Sequence, residues 1–246
     1  PKIGWVRLAE RGYVPTDVPI KSVTISEKAG RWYASVLVEQ EQEVPASDSG
    51  GQVIGVDLGV NALATCSDGT VYENPKALNQ VTVKIRSLSK RMARQEKGSN
   101  RRKKTKLKLA RAHARASNIR TDAIHKMTTE VVRTKRPSVI VLEDLNVAGM
   151  VKNHCLARSV SDAAFGEARR QFTYKALWNG GEVVVAHRFF PSTKRCSACG
   201  VVRESVVLGE RVFVCSSCGL SVGRDENASY NLRDYPSLDW KPKTTA

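Results

Sequence analysis

Four cysteines in the last quarter of the chain are spaced to hold a metal. Cys196 and Cys199 stand in CSACG, and Cys215 and Cys218 in CSSCG, giving a C-x2-C-x15-C-x2-C pattern. Four thiolates suit one tetrahedral Zn²⁺, and a closed set leaves no position for a substrate, so the predicted role is structural. Seven residues after Cys218 comes Asp225, in GRDENASYN. Two apolar runs far upstream also end on acids, VIGVD at Asp57 and VIVLED at Glu143. Three converging carboxylates can hold two divalent cations about 3.5–4 Å apart, one activating a water and the other stabilising the leaving 3′ oxygen of a phosphodiester. Carboxylates suit Mg²⁺ or Mn²⁺, so two kinds of metal with separate roles are expected. Asp144 competes with Glu143, and Glu226 with Asp225. Side chains alternate across a strand, so only one of Glu143 and Asp144 can face such a site.

The elements that must position these residues follow from periodicity. Residues 1–44 read as all-β, with VTISEKAGRWYASVLVE alternating on both sides of a turn at Lys28–Gly30. ASDSGG (46–51) is a small-residue linker and places a boundary near residue 50. Three short strands follow at 53–57, 62–67 and 70–73. Two long helices are predicted over 76–97 and 103–135, broken near Gly98, Ser99 and Asn100. The second has an apolar stripe of Leu107, Ala110, Ala114, Ile119, Ala123, Met127 and Val131. Pro137 stops it, and SVIVLED (138–144) reads as a buried strand. A mobile loop is predicted over 145–160, then a helix over 161–179 capped by Ser161, and a strand at 182–187. The cysteine segment precedes a last helix at 225–234, and the tail from Pro236 is predicted disordered. This order matches an α/β, ribonuclease-H-like mixed sheet with a zinc insert before the last helix, an architecture that can bring Asp57, Glu143 and Asp225 to one sheet edge. The domains are accordingly placed at 1–50, 51–192 (with a basic helical segment at 76–136), 193–222 for the zinc ribbon, and 223–246 for the last helix and tail.

The charge is concentrated. Residues 84–136 hold 19 Lys/Arg against 3 Asp/Glu, an excess equal to the whole net charge of +16. A long basic stripe of this kind is the electrostatic footprint of phosphate-backbone binding. The candidate contacts are Arg101, Arg102, Lys103, Lys104, Lys106, Lys108 and Arg111, joined near the cysteines by Lys194, Arg195 and Arg224. No apolar run approaches membrane-spanning length, and no signal-peptide pattern opens the chain. Cys66 reads as a small buried hydrophobe. No Ser-His-Asp or HExxH arrangement and no Walker-type loop stands in the sequence, so it gives little support to serine-hydrolase or zinc-protease readings and no indication of ATP use. The chain starts at Pro1 and enters strand-like sequence almost at once, as a piece of a longer protein would.

VIGVDLGVNALATCSDG, VIVLEDLNVAGM, RFFPSTKRCSACG and GRDENASYNLRDY together resemble the nuclease half of TnpB proteins, the OrfB-type transposon-encoded RNA-guided endonucleases related to type V CRISPR effectors. PKIGWVRL and the hairpin at 20–39 resemble the end of that family's wedge domain. The resemblance implies a RuvC-type site of Asp57, Glu143 and Asp225, a zinc ribbon of Cys196, Cys199, Cys215 and Cys218, a guide RNA, a DNA target, and a prokaryotic, cytoplasmic and nucleoid-associated setting. It also implies an N-terminal recognition lobe that these 246 residues do not include. Two other readings stand beside it: a guide-directed binding module that does not cut, and a transposase-type strand transferase. Nothing in the sequence sets an oligomeric state.

Overall fold

A computed structural model describes residues 4–41, 43, 51–205, 207 and 209–241. The linker expected at 46–51 lies outside these residues except for Gly51, as does the tail after residue 241. The chain forms two compact units, residues 1–43 with 83–114, and residues 44–82 with 115–246.

The first unit contains an antiparallel hairpin of β1 (Ile20–Lys28) and β2 (Arg31–Val38), closed with Lys28 opposite Arg31. Ala29 and Gly30 both have positive φ, as the two-residue turn matching strand twist requires. The break between the two long helices also falls in this unit. The half-buried Arg102 donates from Nη1 to the carbonyls of Met92 and Gln95, the latter at 3.0 Å, and so clamps that turn.

The second unit is built on a five-stranded sheet of order β5-β4-β3-β6-β7. These strands are β3 (Val53–Leu58), β4 (Ala62–Cys66), β5 (Val71–Glu73), β6 (Val139–Glu143) and β7 (Glu182–Ala186). β3, β4 and β5 pair antiparallel, while β3, β6 and β7 pair parallel. One face carries Ile54, Val56, Leu58, Ile140 and Leu142 into the main core, against Ile124, Met127, Val131 and Phe172. The other face carries Val141 against Leu232 of α6 (Arg224–Asp234). Cys66 is buried in the main core, and burial pushes its thiol up to about 12, as a structural cysteine requires.

Several expectations are corrected. The long helices are α1 (Ala77–Ala93) and α2 (Asn100–Thr129), the latter ending in a π turn over Glu130–Thr134. The buried stripe of α2 is Thr105, Ala112, Ala116, Ile124, Met127 and Thr128, while Leu107 is 37% exposed. Of the predicted stripe, Met127 and Val131 are buried, while the remaining buried positions are one or two residues away from the predicted ones. Thr105 donates to the Arg101 carbonyl at 3.1 Å, and that bond lets its side chain be buried. The loop expected at 145–160 contains a helical turn, α3 (Val147–Met150), and the start of α4 (Ala157–Ala163). Ser161 is therefore inside a helix and caps nothing; the chain breaks at Ala164, with φ of 51°, before α5 (Phe165–Trp178). Asp162 explains the early start. It is buried, accepts from the Leu78 N–H at 3.0 Å, and pairs with Arg120 at 2.6 Å, which fixes α4 in place. The expected disordered tail is ordered through residue 241: Tyr235–Ser237 forms a 3₁₀ turn, and Leu238 and Trp240 pack on the second core. Among the described residues, no helix is long and apolar enough to cross a membrane.

Candidate metal centres

Strand register brings the first two acids together. Val56 of β3 pairs with Leu142 of β6, so Asp57 and Glu143 each come one residue later on adjacent parallel strands. Val56 and Leu142 enter the main core, and alternation turns Asp57 and Glu143 to the opposite face. α6 lies directly on that face. A Cβ built on Gly55 would stand 2.0 Å from the Ser229 carbonyl oxygen and 2.3 Å from the Arg233 nitrogen. Only glycine admits this approach of helix backbone to strand. Asp57 lies two residues beyond Gly55, and Asp225 one helical turn before Ser229, so the close packing delivers Asp225 beside Asp57. Replacing Gly55 with Ala should force α6 off the sheet, destabilising the protein by about 3 kcal/mol or more. A thermal melt that is unchanged, with activity intact, would contradict this packing account.

The electrostatics agree with convergence. Burial pushes the Asp57 carboxyl well above the usual range, and the charges of Glu143 and Asp225 push it further, against the opposing Arg224. Glu143 is also raised, chiefly by burial and secondarily by Asp144. The buried Ser192 hydroxyl lies near enough to oppose that rise, yet its Oγ meets no partner at hydrogen-bond geometry. The two competing acids are engaged elsewhere. Asp144 pairs with Arg188 at 2.9 Å and Arg169 at 3.3 Å. Glu226 accepts from the Tyr230 hydroxyl at 2.8 Å. A cluster of half-buried carboxylates fits a divalent cation, which would supply positive charge among them. The three carboxylates are spread more widely than the cysteines. Among the described residues, only the cysteines form a group whose ligand atoms all lie within 4.8 Å of one another.

Cys196 and Cys218 approach to 3.6 Å between sulfurs, as do Cys199 and Cys215. Four thiolates about 2.3 Å from one tetrahedral Zn²⁺ would stand about 3.8 Å apart, so the quartet fits. Each knuckle closes on itself, with the Cys196 N–H donating to Val201 and the Cys215 N–H to Leu220, both at 2.8 Å. Gly200 and Gly219 take the positive φ these turns require. The ribbon's strand pair, β8 (Val212–Val214) and β9 (Ser221–Gly223), runs straight into α6.

Two residues that sequence reasoning missed join ribbon to helix. Asn227 accepts from the Ser197 N–H at 3.0 Å and donates to the Arg195 carbonyl at 2.7 Å. Asn231 donates to the carbonyls of Ser192 and Arg195. Both are buried on α6, two and six residues after Asp225. Their i, i+4 spacing in DENASYN was the available signal.

The candidate nucleic-acid contacts divide. Arg101, Lys103, Lys104, Lys106, Lys108 and Arg111 are exposed in the first unit, with Arg111 Nε donating to the Ala29 carbonyl at 3.3 Å. Arg102 clamps the helix turn described above. Arg195 Nη1 donates to Asn231 at 2.9 Å, Lys194 donates to the Glu204 carbonyl at 3.0 Å, and Arg224 approaches Asp225 at 3.5 Å. These three belong to the second unit and take part in its ribbon and site contacts.

A ribonuclease-H-like sheet with an acid-bearing edge and a zinc-type ribbon before its last helix defines a class of nucleic-acid-processing folds. Residues 35–154 match the model of the IS605-type OrfB family, described as a probable transposase, and residues 165–232 match the Cas12f1-like TNB domain. A putative RNA-guided DNA endonuclease of Streptomyces pristinaespiralis is 38% identical over 94% of this chain and 55% of its own length. The putative RNA-guided DNA endonuclease InsQ of Escherichia coli K12 is 37% identical over 94% of this chain and 60% of its own. A solved CRISPR-Cas12f ternary complex superposes with a TM-score of 0.58 at 18% identity, over 86% of this chain and 44% of that one. Along nearly its whole length the chain is similar to proteins of the OrfB/TnpB family. It spans a little over half the length of these curated relatives.

Proposed function

We propose that this chain supplies the cutting half of an RNA-guided DNA endonuclease, hydrolysing phosphodiesters at Asp57, Glu143 and Asp225 with Mg²⁺ or Mn²⁺, while Zn²⁺ folds the ribbon. The observation that supports the reading is the register of the strands bearing Asp57 and Glu143, with α6, which bears Asp225, pressed onto Gly55. Bound divalent cations would supply the charge that activates water and stabilises the leaving oxygen. The chain's own part is positional. Asp57 and Glu143 present oxygens from one rigid face, and Asp225 does so from the first turn of α6. Water attacks phosphorus, the 3′ oxygen departs and takes up a proton, and the products are a 3′-hydroxyl and a 5′-phosphate.

The test is Mg²⁺-dependent cleavage of single-stranded DNA by the wild-type chain and by Asp57→Ala. Equal cutting by both would remove the assignment. Salt-sensitive binding with no metal-dependent turnover would favour a binding module. The probable-transposase description of the matching family keeps strand transfer in view. There a DNA 3′-hydroxyl replaces water, and joined products would report it.

The guide RNA and target DNA are proposed partners, and the basic helix is the proposed backbone grip. Replacing Arg101, Lys103, Lys104 and Lys106 with Gln should weaken binding about equally across sequences and lower the salt slope by roughly 3–4. Altered sequence preference at unchanged affinity would contradict this. Arg102→Gln is expected to loosen the helix turn instead, seen as a lower melting temperature.

A further inference from the structure

An open cavity of about 420 Å³ lies beside the acid edge, lined by Asp144, Arg169, Ala186, His187, Arg188 and Phe189. Three features distinguish it from an ordinary surface hollow. Phe189 is 74% exposed, although large aromatic rings are normally covered. The ring is held in place: the Phe189 N–H donates to His187 Nδ1 at 3.2 Å, its ring lies 5.6 Å from the His187 ring, and His187 lies 5.4 Å from Trp240. Trp240 in turn meets the buried Phe190 edge-on. Phe189 is thus the outer member of a chain of tilted and edge-on aromatic contacts rooted in the second core, with its own ring left open to solvent.

The charge around it is positive and fixed. Asp144 bridges Arg169 and Arg188, each through one guanidinium nitrogen. One carboxylate between two guanidiniums leaves a net positive charge and several free N–H donors, while restraining both arginines. Asp144 directly follows Glu143, so the cavity begins one residue from the proposed cutting site.

We infer that Phe189 is a stacking platform for an unpaired nucleotide base, with Arg188 and Arg169 holding the flanking phosphate, so that a single strand is seated beside the acid edge. This inference rests on the nuclease reading for its substrate. An exposed, pre-positioned aromatic ring beside restrained arginines is the physical recipe for single-strand binding, because every base offers a π-face and every nucleotide a phosphate. A duplex has no free base face to offer.

The test is binding, read by fluorescence anisotropy with oligo(dT), oligo(rU), a backbone of abasic deoxyribose phosphates, and a duplex. The protein carries Asp57→Asn so that nothing is cut. Adding Phe189→Ala should weaken oligo(dT) or oligo(rU) binding by about 5- to 150-fold, the equivalent of 1–3 kcal/mol per stacked base. Whichever oligonucleotide loses affinity names the strand seated there, and a loss on both assigns the platform to either. Phe189→Trp should bind at least as tightly as the parent. The abasic strand and the duplex should bind alike with and without Phe189→Ala. Arg188→Gln should weaken the abasic strand too and lower the salt slope. Unchanged binding of both oligonucleotides on Phe189→Ala would overturn the proposal, as would an equal loss on the abasic strand. An unchanged melting temperature checks that the variant folds. No step here requires cleavage, so failure of the nuclease reading would appear separately, as absent metal-dependent cutting with this binding pattern intact.

Discussion

Asp57→Asn is expected to abolish cutting and to make the metal-free protein more stable. Both effects have one origin. Asp57 is raised well above its ordinary range by burial, then by Glu143 and Asp225, so its charged form is disfavoured in the folded chain. A carboxyl raised on folding contributes stability that is fully present below its unfolded value and is lost as pH rises through its folded value. The metal-free wild type therefore loses stability from the ordinary carboxylate range upward, and an uncharged amide avoids that loss. At neutral pH without divalent cations, the variant should melt higher by several degrees, on the order of 5 °C. The gap should close at a pH below the ordinary carboxylate range. Mg²⁺ should raise the melting temperature of the wild type and leave that of the variant nearly unchanged. Cleavage should fall by on the order of 10³-fold or more, since several kcal/mol of charge stabilisation disappears. Because protons compete with the cation for raised carboxyls, the Mg²⁺ concentration needed by the wild type should increase as pH falls. A variant that melts lower than the wild type in EDTA, or that still cuts, would show that Asp57 is an ordinary structural acid.

Removing zinc is expected to unfold the ribbon and disable the acid edge while leaving the sheet folded. The ribbon's own core is small: Cys196, Phe213 and Cys215, with Leu220 and Val222 packed against them. So few apolar contacts cannot offset the entropy of ordering the segment, and metal ligation must supply the difference, on the order of 10 kcal/mol for a structural zinc site. In Cys215→Ser, or after strong chelation, the amides of Cys196, Phe213 and Cys215 should lose hydrogen-exchange protection, while those of Ile54 and Val141 keep theirs. Activity should fall as well, because Asn227 and Asn231 tie the ribbon to the helix that carries Asp225. Global loss of protection would mean that the sheet depends on the ribbon. Full activity in a zinc-free protein would mean that the ribbon has no part in placing Asp225.

The parts legible in the sequence share one physical trait: they are encoded over short distances. The cysteine quartet is recognisable because each C-x2-C pair and its following glycine make one turn, and that turn closes on its own hydrogen bonds. The strands bearing Asp57 and Glu143 are legible because apolar runs bounded by acids and glycines have few other uses. Their joint placement could be expected only through element order, which matched the observed sheet. What lay beyond reach involved partners distant in the chain. Residues 145–164 read as a loop followed by a capped helix, yet Arg120 and the Leu78 N–H draw Asp162 inward and start α4 early. Trp240 sits in a tail of turn-forming and charged residues, yet its ring packs against His187 and Phe190.

By itself, then, the sequence determined the zinc pattern, the acidic strand ends, the concentrated positive charge and the family resemblance. Tertiary structure decided which acids face one another. Glu143 rather than Asp144 turns toward Asp57 because strand pairing sets the face and two arginines hold Asp144 away. α6, which carries Asp225, packs on the same face because Gly55 lets a helix backbone approach the sheet more closely than any side chain would allow. Periodicity sets which side of an element a residue occupies, but register and helix packing depend on contacts between segments far apart in the chain, and those contacts exist only in the folded molecule.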